Sequence, residues 1–97
     1  MKEINLVQLQ AAINQILDYL TKQKGVQAVA LEKDMYWNVP TDALYFVDKQ
    51  PSELDIGSLY DDWEFVQANT IGASEAVPLQ LTEIATLLRY IGEVSKP

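Results

Sequence analysis

Leu54-Asp55-Ile56-Gly57-Ser58-Leu59-Tyr60-Asp61-Asp62-Trp63-Glu64-Phe65-Val66 is the stretch on which the architecture turns. Ile56, Leu59, Tyr60, Trp63 and Val66 recur at three- and four-residue steps, which at about 100° per residue gather on one stripe of a helix. Asp55 is a good N-cap, and Leu54 with Leu59 has the spacing of a hydrophobic staple. Asp61 and Asp62 fall early, where carboxylates favour the positive end of the helix dipole. The pattern predicts an amphipathic helix over about 56–69. Phe65 lies about 200° round from Trp63, off the stripe, with Asp61 and Asp62 as its i−4 and i−3 neighbours. An aromatic ring set outward among carboxylates is a candidate contact anchor. The alternative is that another element covers that face, or that the helix bends before Phe65.

This stretch closes a longer segment, Glu32 to Phe65, that concentrates the chain's charge. It holds Glu32, Asp34, Asp42, Asp48, Glu53, Asp55, Asp61, Asp62 and Glu64 against Lys33 and Lys49. Elsewhere acids and bases cancel, so the whole net charge of −7 resides here. Tyr36, Trp37, Tyr45, Phe46, Tyr60, Trp63 and Phe65 lie in the same segment. Within it, Tyr36 and Trp37 point to opposite faces if they are in a strand, so that one is core and the other outward. Which is which is not decided by the residues. Asp34, Tyr36, Trp37, Asp61, Asp62 and Phe65 are the candidate binding residues.

Upstream, Leu6, Leu9, Ile13, Ile16, Leu17 and Leu20 form the stripe of a helix over about 6–24. Asn5 is its expected N-cap, with Gln8 completing a capping box, and Gly25 its expected left-handed stop. Val26 to Glu32 reads as a short buried strand, with a helical turn as the alternative. Met35 to Val39 is a second strand candidate, ended by Pro40, which cannot donate a ladder hydrogen bond. Thr41 to Val47 is open between a short helix capped by Thr41 and a strand over 44–47. Asn69 to Val77 reads as a loop. Leu81, Ile84, Leu87, Leu88 and Ile91 predict a last helix over about 80–93. Three amphipathic helices with one or two short strands (about 26–32, and 35–39 or 44–47) make an α-rich α+β fold in a single domain spanning 1–97.

Composition narrows the function classes. The chain has no His and no Cys. The commonest general base, the commonest zinc ligand and the thiolate nucleophile are therefore missing. No G-x-S-x-G elbow, Walker loop or G-x-G-x-x-G is present. Adjacent Asp61 and Asp62 diverge by about 100° on a helix and are poorly placed to share a metal ion. The sequence thus predicts no catalysis, no metal and no cofactor. Phosphate neutralisation needs clustered Lys and Arg, so no nucleic-acid partner is expected. No run approaches the roughly 20 apolar residues of a membrane span. No continuous apolar stretch follows Met1-Lys2 to make a secretory signal, and the expected location is cytoplasmic.

The string Lys33-Asp34-Met35-Tyr36-Trp37-Asn38-Val39-Pro40, then Leu44-Tyr45, Pro51, Leu54 to Leu59 and Asp61-Asp62-Trp63-Glu64, resembles a group of small uncharacterised acidic bacterial proteins, cyanobacterial ones among them. Their pattern is D-x-Y-W-x-[IV]-P … L-Y … I-G-x-L-x-D-D-W-E. Leu87 to Glu93 is similar to the tail of the same group. Asp55 stands where the group's pattern has threonine, and both are N-cap residues. The resemblance implies a source and a class, not a mechanism. The expected function is a protein-interaction module, of the kind an immunity protein or inhibitor represents. It would bind a basic partner through segment 32–65, since complementary charge speeds association. The first alternative is a homo-oligomer closed through outward aromatics. The second is a carboxylate-based metal-dependent enzyme.

Overall fold

The computed structural model describes residues 2–48, 50, 53–70 and 80–95. The chain divides into two compact units, Met1–Ala30 and Leu31–Pro97.

The first unit is built on α1, Leu6–Asp18. Asn5 is extended and its side chain accepts from the Gln8 N–H at 2.9 Å, so one free donor of the first turn is satisfied. The α-helical ladder stops at Asp18, short of the expected end near residue 24, and widens into a π-helical turn, Tyr19–Gln23. Gly25 then adopts φ +68, the left-handed conformation that glycine enters without steric cost. Lys22 pairs with Asp18 at 3.9 Å, and the Lys24 ammonium lies 5.7 Å from the centre of the Tyr19 ring.

The second unit pairs a small sheet with two helices. Strands β1, Met35–Asn38, and β2, Asp55–Ser58, run antiparallel with Met35 opposite Ser58, Tyr36 opposite Gly57, Trp37 opposite Ile56 and Asn38 opposite Asp55. Between them lies a four-residue helix, α2, Thr41–Leu44. Helix α3 spans Leu59–Thr70 and α4 spans Gln80–Val94. Leu59, Leu87 and Tyr90 form the buried apolar centre, where α3 meets α4. The α-rich α+β class is the one the sequence predicts. No helix among the described residues is long and apolar enough to cross a membrane.

Four local expectations are corrected. Residues 55–58 are strand, not the first turn of a helix, so Asp55 caps nothing and α3 begins at Leu59. Residues 26–32 carry no ladder. At the start of this stretch the Val26 N–H donates to the Leu20 carbonyl, and at its end ring hydroxyls take over, the Leu31 carbonyl accepting from Tyr60 Oη at 3.1 Å and the Glu32 N–H donating to Tyr90 Oη at 3.0 Å. Residues 44–47 are no strand either: Leu44 ends α2 and the chain turns. Thr41 lies inside α2 and Pro40 precedes it, its carbonyl accepting from Ala43 and Leu44. Of the loop expected over 69–77, Asn69 and Thr70 belong instead to α3, and residues 71–77 lie outside the described residues.

Candidate functional site

The site is organised where β1, β2, α3 and α4 meet. Ser58 leaves β2 and caps α3 directly. Its Oγ accepts from the Asp61 N–H at 3.2 Å and donates to Asp34 Oδ1 at 2.6 Å. The same Asp34 oxygen accepts from the Tyr60 N–H at 3.0 Å, and the Asp34 carbonyl accepts from the Leu59 N–H at 2.8 Å. Three N–H groups that α3 cannot satisfy internally are thus taken by two residues from outside it. These bonds favour the ionised carboxylate, so Asp34 is held below its ordinary range, the Ser58 hydroxyl contributing most. Asp34 was a candidate binding residue; it works as a remote cap.

Asp62 is the second correction. The outward carboxylate expected beside Phe65 is 6% exposed. Its Oδ2 accepts from Tyr36 Oη at 2.8 Å and from Thr86 Oγ1 at 2.6 Å, which ties α3 to β1 and α4. Thr86 Oγ1 also lies 2.8 Å from the Glu83 carbonyl. Glu83, half-buried on α4, is pushed up to about 7, first by the adjoining Asp62 carboxyl, then by burial and by the Asp62 charge. Burial first, and then the Asp62 bond, push the Tyr36 phenol up to about 12.

Tyr36 is therefore the inward member of its pair and Trp37 the outward one, 69% exposed. Met35 at 67% and Ile56 at 65% share the Trp37 face, the first by strand alternation and the second as its cross-strand partner. Phe65 is exposed, and so is Trp63, which the helical stripe had placed in the core. Asp61 is exposed too. The candidates thus separate: Asp34, Tyr36 and Asp62 hold the fold together, while Trp37, Asp61 and Phe65 face outward.

Along β1 and α4 runs a groove of about 480 Å³. Trp37, Leu44, Leu59 and Tyr90 make its apolar walls, and Lys33 and Arg89 supply cations. Sequence reasoning missed Glu83, Thr86 and Arg89. The available signal was the spacing of Glu83, Thr86 and Tyr90 along α4, a polar line beside the apolar stripe. Among the described residues no three acidic side chains converge in a way that would hold a metal ion. No protein-family model, no curated protein and no solved structure matches the chain.

Proposed function

We propose that the chain is a protein-interaction module that docks a basic protein surface on the outer face of the β1–β2 ribbon. One observation carries this reading: Trp37 and Ile56, a direct cross-strand pair, stand out from the ribbon with Met35 beside them, each about two-thirds exposed. A bare aromatic and two aliphatic side chains on rigid strands make the kind of anchor that dominates binding energy. The surrounding segment carries nine acids against two lysines, which would steer a cationic partner toward it. A second copy of the chain is the alternative occupant, favoured by the outer edges of the two-stranded sheet, which pair with no other described strand.

A photo-crosslinking residue placed at Met35, in cells that make the protein natively, tests the reading. The expected product is an adduct with a protein of net positive charge, suppressed by Ile56→Asp and weakened by high salt. A covalent dimer of the chain alone would establish the oligomer instead. No adduct at Met35 beyond that of a crosslinker at Gln10 on α1 would end both readings.

A further inference from the structure

The groove beside β1 carries charge of the wrong sign for this protein. The chain's net charge is −7, yet its only arginine, Arg89, and one of the two lysines of segment 32–65, Lys33, both line this cleft. Glu93 is the one acidic side chain among the described residues of the lining. Neither Lys33 nor Arg89 makes an ion pair with another described residue. The lining carries three aromatic residues, Tyr36, Trp37 and Tyr90, and the volume of about 480 Å³ falls in the range of small-molecule sites. Tyr90 is buried and Trp37 exposed, so one ring forms part of the fixed wall and the other stands open to a ligand.

We infer that this groove binds a small aromatic carboxylate, its ring system lying against Trp37 and Tyr90 and its carboxylate meeting Arg89 and Lys33. A guanidinium presents a planar fork that matches a carboxylate with two parallel hydrogen bonds, which a lysine cannot do. Flat rings bury much area against aromatic walls. A cationic or neutral ligand gains nothing from the two bases. A macromolecular anion such as nucleic acid would meet the acidic segment around the groove, which disfavours it. The inference needs no protein partner, although the groove shares Met35 and Trp37 with the face proposed to dock one, so the two occupants would compete for Trp37.

The test uses 2-naphthoate as the probe and the two tryptophan indole N–H signals in a ¹H–¹⁵N spectrum as reporters, assigned with Trp63→Phe. The Trp37 signal is expected to shift saturably while the Trp63 signal stays in place. The uncharged 2-naphthalenemethanol and the Arg89→Gln variant are each expected to bind about tenfold more weakly, the size of one lost charge-assisted hydrogen bond. Lys33→Gln is expected to lose less, since its ammonium acts as a point charge. Spectra of the free variants establish that they are folded. No saturable shift at millimolar naphthoate would overturn the inference. Equal affinity for acid and alcohol, or an unchanged Arg89→Gln, would do the same.

Discussion

Tyr36 lies over Gly57, its opposite number in the β1–β2 register, and its ring fills the space where a side chain at 57 would stand. The phenol is carried by that placement to Asp62, 2.8 Å away on α3. The glycine is required for space, not for an unusual backbone angle, since its φ is not positive. One missing Cβ therefore lets an aromatic ring cross the ribbon and hold it to the helices, which a two-stranded sheet needs for its stability.

Gly57→Ala is expected to destabilise the protein by about 1–3 kcal/mol, the cost of overpacking a site that has no room. Tyr36→Phe should cost about 1–2 kcal/mol by removing one donor from a buried carboxylate. Combining Gly57→Ala with Tyr36→Ala should cost less than the sum of the two single changes, because the clash disappears with the ring. Urea unfolding of the four proteins measures this; strict additivity would mean that the ring does not constrain residue 57.

Glu83 predicts a pH dependence. Its folded value of about 7 exceeds its ordinary 4.5, so the folded state holds the proton more tightly than the unfolded state does. Stability is then full below about pH 4.5, declines as pH rises toward about 7, and levels off above it. With solvent screening at the edge of the pair, the change is on the order of 1 kcal/mol, or about 4–8 °C in Tm. Glu83→Gln should remove this decline and raise Tm at pH 8 relative to the parent chain. Melting curves from pH 4.5 to 8 decide it, and parallel curves for the two proteins would refute the raised value of Glu83.

The cap of α3 is open to a sharper test. Ser58→Ala removes both the acceptor for the Asp61 N–H and the donor to Asp34, and should cost about 1–2 kcal/mol. Asp34 is held below its ordinary 3.8, so its contribution is present above that pH and is lost as pH falls through its lowered folded value. Asp34→Asn should flatten the acid limb of the stability curve. Amide exchange at Leu59, Tyr60 and Asp61 should accelerate in both variants, and unchanged exchange in both would remove Asp34 and Ser58 as caps.

Exposure separates the remaining residues. Leu87→Ala, at a site 9% exposed, should cost about 2–5 kcal/mol. Trp37→Ser and Phe65→Ala, at sites 69% and 47% exposed, should each stay within about 0.5 kcal/mol of the parent. Thermal melts rank the three. A large loss at Trp37 would make it part of the fold and would remove the ribbon's bare face.

Some of this was legible in the residues alone. The Asn5 cap and the Gly25 stop could be read because a cap is local chemistry between residues three or four apart. Helix α4 was legible for the same reason, its stripe repeating over four turns. β2 was not. Ile56 falls in phase with the stripe of α3, so periodicity extended the helix backward through four residues that pair instead with β1. The contrary signal was Ser58 with Asp61, a serine three residues ahead of an acid, which marks a helix start one turn later than Asp55 does. Trp63 was misplaced because helical phase names a stripe but not what covers it.

By itself, then, the order of residues determined where α1 begins, that Gly25 takes the left-handed conformation, where α4 runs, and that the negative charge gathers in one segment. Each of these rests on neighbours within one or two helical turns. Only the tertiary structure decided that Asp62 is buried, that Asp34 caps a helix it does not belong to, and that Lys33 and Arg89 line one groove. Those facts depend on bonds and faces brought together across 24 to 58 positions. A carboxylate's role is set by what opposes it across such a gap, and local periodicity carries no record of that.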